Sequence, residues 1–295
     1  MVECYDFDHL TPEAAALIDA PAEHRIRAIW DTPWIDYPRA SELLTVLTDL
    51  VSRPQTTRMP SVAIYADSGM GKTMLLKRFL AQHQARYDST AMVEHTPVIA
   101  IQMAARPTEK RFFSQMLNVL GAPPNQRLSL SDIEVVALRI LRHVGARLIL
   151  IDEVHNMLAA SYSEQRALLN LIRFLSNELQ LSIVCFGVSD AREAISGDVQ
   201  LARRFREYSL PRWQADDAFQ ALVVKLIRNM PLKLPSQLSA RAQKTLLAGS
   251  DGVTAQIVSR LQEAAVHAIQ SGQERIGDAL LDQIEPPRSA DVRFA

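Results

Sequence analysis

The chain holds 295 residues, 48% hydrophobic and 22% charged, enough to bury a substantial core and to form more than one domain. A formal net charge of -1 excludes a globally basic nucleic-acid binder, so any DNA contact must come from local patches. Cys4 and Cys185 lie far apart, and Cys185 sits inside the apolar run Ile183-Val184-Cys185-Phe186, which reads as a packed thiol with no disulfide framework and no metal-binding spacing. No apolar run is long enough to cross a bilayer, and the start Met1-Val2-Glu3-Cys4-Tyr5-Asp6 is polar, so a soluble cytoplasmic protein is expected.

Residues 1–35 carry Pro12, Pro21 and Pro33 between short helical pieces and read as an N-terminal arm packed on a core that begins near Asp36. Ala40–Leu50 follows as a helix with Leu43, Leu44, Leu47 and Leu50 on one face. The run Ser61-Val62-Ala63-Ile64-Tyr65 reads as a buried strand, and Met74, Leu75, Leu76, Phe79 and Leu80 recur at helical spacing beyond it. Pro97–Met103 is a second strand, Phe112–Leu120 a helix ended by Gly121, and Asp132–Val144 a helix ended by Gly145. Arg147–Ile151 is an apolar strand tipped by Asp152 and Glu153. An amphipathic helix over Ala167–Leu179 leads into the strand Ser182–Gly187. This alternation predicts an α/β fold, a three-layer core with a mostly parallel sheet covered by helices. From about Trp213 the pattern is all-helical. The expected division is therefore an arm (1–35), an α/β core (36–212), a small helical lid (213–285) and a loose tail (286–295).

Between the first strand and its helix stands Ala66-Asp67-Ser68-Gly69-Met70-Gly71-Lys72-Thr73. A glycine-bearing loop ending in Gly-Lys-Thr, set between strand and helix, is the P-loop arrangement. Its glycines let successive N–H groups point inward, and the helix N-terminus adds positive potential to that nest. Asp67, Ser68, Gly69, Met70, Gly71, Lys72, Thr73 and Met74 are the candidate ATP contacts, with Lys72 reaching the β- and γ-phosphates and Thr73 ligating Mg²⁺. Alanine at position 66 replaces the first glycine of the usual pattern. Asp152 is the second candidate for Mg²⁺, and Glu153 the group that orients or deprotonates the attacking water. Carboxylates at the carboxyl end of a buried parallel strand sit where α/β sheets bind ligands.

A P-loop core followed by a helical lid resembles the AAA+ ATPases, and that resemblance implies further roles. Ser189, after the strand Ser182–Gly187, is the candidate γ-phosphate sensor, with Asp190 as its alternative and a helix N-cap as the plain reading. Arg204 is the first choice for an arginine finger aimed at a neighbouring subunit's nucleotide and Arg203 the second; a solvated helix end explains the pair equally simply. The lid arginine found in many AAA+ proteins is missing from Gly252-Val253-Thr254-Ala255, with Arg260 further along the helix. Trp34, Ile35 and Tyr37 either flank the adenine or staple the arm to the core. His155 and Asn156 either steer Glu153 or cap the next helix.

Asp67–Leu76, Leu150–Asn156 and Gln200–Phe205, in this order of elements, look like the TniB/TnsC family of bacterial transposition ATPases. The resemblance implies a Mg-dependent, slow ATPase that forms a ring or helical homo-oligomer on double-stranded DNA. It further implies a hand-over of target DNA to a DDE transposase, contact with a TniQ-type target-selection protein, and release on ATP hydrolysis. Candidate DNA contacts are Arg106, Lys110 and Arg111, then Arg127, Ser129 and Ser131; helix caps and solvated turns are the alternative. Two other readings stand beside this one: a helicase-loader or initiator-type AAA+ protein, and a nucleotide-switched protein-interaction ATPase.

Overall fold

The computed structural model describes residues 7–31, 33–89, 93–125, 127–196 and 204–284. They fall into two compact units: one takes the described parts of Met1–Pro38, Gly69–Gly71 and Arg212–Ala295, the other Arg39–Ser68 and Lys72–Pro211.

The second unit is built on a parallel five-stranded sheet. Its members are β1 (Ser61–Tyr65), β4 (Val98–Gln102), β5 (Leu148–Asp152), β6 (Ser182–Gly187) and β7 (Phe205–Ser209), in the order β4-β5-β6-β1-β7. The three inner strands are buried along their whole length, and this is why they read as unbroken apolar runs. The edge strand β7 is different, with Phe205 its one fully buried residue. A short antiparallel hairpin, β2 (Arg86–Asp88) with β3 (Val93–His95), precedes β4 and was not expected from the sequence. Helices α3 (Pro38–Ser52), α4 (Lys72–Gln82), α5 (Glu109–Val119), α6 (Leu130–His143), α7 (Tyr162–Glu178) and α8 (Ala191–Ser196) complete the unit. Ile99, Ile101, Phe112, Phe113, Ile149 and Leu175 form part of the core between sheet and helices.

Helices α5 and α7 begin at least three residues earlier than their apolar spacing suggests, each with a hydroxyl at its N-cap. Thr108 Oγ1 accepts the Arg111 N–H at the start of α5. Ser161 and Glu164 form a reciprocal capping box at the start of α7.

Helices α1 (Pro12–Ala15), α2 (Ala22–Trp30), α9 (Asp217–Arg228), α10 (Ala240–Gly249), α11 (Thr254–Gln270) and α12 (Asp278–Gln283) form the other unit. Residues 7–38 therefore group with the C-terminal helices, where the sequence suggested an arm on the α/β core. Ile29 lies in the same apolar cluster as Phe219, Leu226, Ile257 and Leu261, and Gln262 Nε2 donates to the Ile29 carbonyl at 2.8 Å. Arg25 is buried, donates to the Pro231 carbonyl from Nε (2.9 Å) and Nη2 (2.7 Å), and forks onto the Glu274 carboxylate. Among the described residues no helix is long and apolar enough to cross a membrane.

Candidate nucleotide site

Register brings the carboxyl ends of three strands together. Tyr65 of β1 pairs with Gly187 of β6, Ile151 of β5 with Cys185 of β6, and Asp152 with Gln102 of β4. The P-loop, the acid pair and the Ser189 turn thus leave the same edge of one sheet, where parallel sheets bind ligands.

Ala66 adopts no positive φ and donates its N–H to the Gly187 carbonyl at 3.0 Å, extending the sheet ladder by one residue. Alanine therefore serves at this position. Gly69 (φ +78°) and Gly71 (φ +91°) do take left-handed backbone, which glycine adopts without strain. Lys72 opens α4 and is buried; its Nζ donates to the carbonyls of Ala66 (2.7 Å) and Asp67 (2.9 Å). Burial pushes the Lys72 ammonium below its ordinary pKa, against the opposing pull of Glu153, Asp152 and Asp67.

Thr73 Oγ1 donates to Asp152 Oδ2 at 3.0 Å, and Asp152 Oδ1 accepts the Glu153 N–H at 2.9 Å. Among the described residues no three His, Cys, Asp or Glu side chains cluster to hold a metal ion. A hydroxyl and a carboxylate suit Mg²⁺ nonetheless, because that ion takes one or two protein oxygens and fills its octahedron with phosphate and water oxygens. The donor set fits the cation. Met70 is buried in the loop, and Met74 is exposed on the first turn of α4.

The other expected site residues sort as follows. Ser189 is exposed in the turn between β6 and α8, and its carbonyl accepts the Arg192 N–H at 3.0 Å. Arg204 precedes β7, and its Nη1 donates to Asn177 Oδ1 of α7 at 2.7 Å. Arg203 lies outside the described residues. Tyr37 belongs to the helical unit, set edge-on to Trp213 at 5.0 Å and stacked against Trp34 at 6.4 Å, so these rings lie together within that unit and do not staple an arm to the α/β core. Arg260 is buried in that same unit, its Nη1 and Nη2 3.5 and 3.3 Å from the carbonyls of Thr245 and Ile284. A Cβ on Gly249 would stand 2.2 Å from Arg260 Nη1, so that glycine makes room for the guanidinium.

The two basic stretches proposed for DNA converge. Lys110 Nζ donates to the Leu128 carbonyl at 2.8 Å, tying α5 to the loop that carries exposed Arg127, and Arg111 Nη1 donates to the Arg106 carbonyl at 3.0 Å just before the helix. Ser129 is the N-cap of α6, in a capping box with Asp132. Sequence reasoning missed Asn177 as the partner of Arg204; nothing local marks a partner from a different helix. It also passed over Gly187, where a Cβ would lie 2.8 Å from Ala191 Cβ and 2.9 Å from Val154 Cγ1. A glycine closing an apolar strand was the available signal.

No curated protein matches the chain by sequence. Among solved structures, the Aeropyrum pernix ORC2 protein in its ADPNP-ADP complexes is 17% identical, with a TM-score of 0.60 over 86% of this chain and 70% of that one. The Aeropyrum pernix ORC1 protein in complex with DNA is 20% identical, with a TM-score of 0.60 over 85% and 65%. Cdc6p from Pyrobaculum aerophilum is 15% identical, with a TM-score of 0.59 over 85% and 67%. The chain thus spans 65% to 70% of the lengths of these proteins, and at such identities the likeness is one of fold. That fold is the AAA+ core with a helical C-terminal region. The family model described as "Bacterial TniB protein" matches residues 25–215, more than half of the sequence, and the chain belongs to the TniB family.

Proposed function

We propose that this protein is an ATP-dependent regulator of transposition that assembles on duplex DNA, presents it to a DDE transposase and is released when ATP is hydrolysed. The observation that carries the reading is the combination of TniB membership with the set Lys72, Thr73, Asp152 and Glu153 at one sheet edge. Lys72 exchanges its two loop carbonyls for β- and γ-phosphate oxygens. Thr73 and Asp152 hold Mg²⁺, which supplies the charge that neutralises the phosphates. Glu153 orients and deprotonates water. Ser189 senses the γ-phosphate, and Arg204 of an adjoining subunit leaves Asn177 to complete the site in the assembly.

Arg106, Lys110, Arg111 and Arg127 form the DNA-facing surface of each subunit. One subunit binds weakly at near-neutral net charge, and assembly multiplies the contacts along the duplex. A TniQ-type protein selects the target. A second reading, an initiator acting at replication origins, is favoured by the likeness to ORC1, a protein solved in complex with DNA.

Negative-stain microscopy with duplex DNA, comparing no nucleotide, ATP and a non-hydrolysable analogue, tests the proposal. Rings or filaments on DNA only with triphosphate are expected. Nucleotide binding without assembly on DNA would move the reading to a protein-client ATPase. Strand transfer by a co-expressed DDE transposase, stimulated by the protein, separates transposition from origin binding.

A further inference from the structure

His155 has no role in the scheme above, yet it touches the residue on which hydrolysis turns. Strand β5 ends at Asp152, and Glu153 then takes φ 55° and ψ 37°, left-handed backbone that is uncommon for a residue with a side chain. Such a conformation persists only where its surroundings hold it. The Glu153 N–H donates to Asp152 Oδ1, and the Glu153 carbonyl accepts the Asn156 N–H at 2.9 Å. Asn156 Nδ2 in turn donates to the Met103 carbonyl at 2.8 Å, fixing the 3-10 turn Val154–Ala159 to the segment beyond β4. Gly187 packs closely on the same turn, where a Cβ would lie 2.9 Å from Val154 Cγ1 and 3.7 Å from the His155 backbone nitrogen.

The chain therefore reverses within one residue and carries the imidazole back to the carboxylate. His155 Nε2 lies 3.1 Å from Glu153 Oε2. His155 Nδ1 is buried and has no hydrogen-bond partner among the described residues. A bare ring nitrogen is less costly to bury unpaired than an N–H, so the ring proton belongs on Nε2, where Glu153 accepts it.

We infer that His155 is a positioning residue for ATP hydrolysis: its Nε2–H fixes one carboxylate oxygen of Glu153 and leaves the other to take the proton of the attacking water. The inference rests on the proposed ATPase reading. In the step concerned, the water oxygen bonds to the γ-phosphorus as the bond from that phosphorus to the bridging β,γ-oxygen breaks. The water proton passes to Glu153, and ADP and inorganic phosphate leave. The Glu153 carboxylate also pulls the Lys72 ammonium, the residue proposed to reach the phosphates, toward its charged form.

The test is steady-state ATPase of the full chain with duplex DNA, alongside fluorescent-nucleotide binding in the same samples, for wild type, E153Q, H155A, H155N and H155Q. H155A is expected to lower kcat roughly tenfold, the smaller part of what a general base contributes, with nucleotide affinity within about twofold of wild type. H155Q, whose amide N–H reaches the position of Nε2, is expected to recover most of the rate; the shorter H155N is not. Should H155A fail to fold, the contrast between H155Q and H155N decides alone. Wild-type turnover in H155A, or equal rates in H155Q and H155N, overturns the inference while the ATPase reading stands on the loss in E153Q. A wild type as inactive as E153Q removes both.

Discussion

Thr73 Oγ1 sits 3.0 Å from Asp152 Oδ2, so the first turn of α4 and the last residue of β5 meet although β6 lies between β1 and β5 in the sheet. The contact shows that loop and strand already share one geometry. Thr73→Val keeps the branched shape and removes the hydroxyl. Its expected outcome is a nucleotide affinity at least about tenfold weaker in Mg²⁺, with little change in EDTA, since one of two protein oxygens for the cation is gone. Titration with a fluorescent ADP under both conditions checks it; an equal loss with and without Mg²⁺ would place Thr73 outside the metal site.

Lys72 should be needed for ligand binding and unfavourable for stability. Loss of its charge-assisted bonds to phosphate in Lys72→Met is expected to weaken nucleotide binding by roughly a hundredfold, about 3 kcal/mol. Burial lowers its folded pKa below the unfolded value of 10.5. Between those two values the unfolded chain binds more protons, so stability rises with pH through that window, and below it the buried charge is a constant penalty. Lys72→Met removes the penalty. Its melting temperature at neutral pH should match or exceed that of wild type, and the gain on raising pH should shrink. A clear fall in melting temperature would mean that the ammonium's bonds to Ala66 and Asp67 outweigh its desolvation.

The candidate site was legible in the sequence where its parts are local. Gly69, Gly71, Lys72 and Thr73 follow one another on a short loop and the first turn of α4, and β1, β5 and β6 are buried throughout and read as apolar runs because both their faces are covered. Strand β7 was not legible, since Arg206, Glu207 and Ser209 are exposed on an edge and their polarity hides the strand period. The β2–β3 hairpin is too short to carry a pattern. Thr108 and Ser161 cap α5 and α7, but the apolar repeat each precedes begins later and drew the expected boundary inward. The partners of Arg25 and Arg204 are set by tertiary packing across long stretches of chain, and no local spacing encodes them.

Arg204 is half-buried with its guanidinium on Asn177. As a finger it must leave that amide when a neighbouring nucleotide approaches. Arg204→Ala is expected to bind ATP normally and to lose roughly a thousandfold of the hydrolysis rate in the assembled state. Asn177→Ala should leave assembled turnover intact. The decisive measurement mixes Arg204→Ala with Lys72→Met subunits. In alternating contacts, wild-type Arg204 from the Lys72→Met chain meets an intact nucleotide site, so partial recovery is expected; none would remove Arg204 as a group acting between subunits.

Lys110 and Arg111 lie in the first turn of α5, beside the loop that bears Arg127. If each neutralises a phosphate, the double variant Lys110→Ala, Arg111→Ala should flatten the slope of log affinity against log salt by about 2. ATP binding should be unchanged. Ser129→Ala serves as the contrast: it loses the α6 cap, about 1 kcal/mol of stability, and should keep the wild-type salt slope. An unaltered slope in the double variant would take this surface out of the DNA account.

The Arg25–Glu274 pair makes the helical unit sensitive to acid. Burial pushes the Glu274 carboxyl up, but the hydrogen bonds from Arg25 and the Lys233 N–H, with the charges of both residues, outweigh it and hold the group below its ordinary 4.5. A folded value below the unfolded one means that the contribution to stability is complete above the unfolded pKa and is lost as pH falls through the folded value. Glu274→Gln keeps the shape and one acceptor oxygen but removes the charge opposite the buried Arg25, a loss of about 3 kcal/mol near neutral pH. Denaturant melts across a pH series should show the difference between wild type and Glu274→Gln narrowing steadily below pH 4.5. A gap that stays constant on acidification would show that Arg25 is held by Pro231 and by packing, with the carboxylate contributing nothing that titrates.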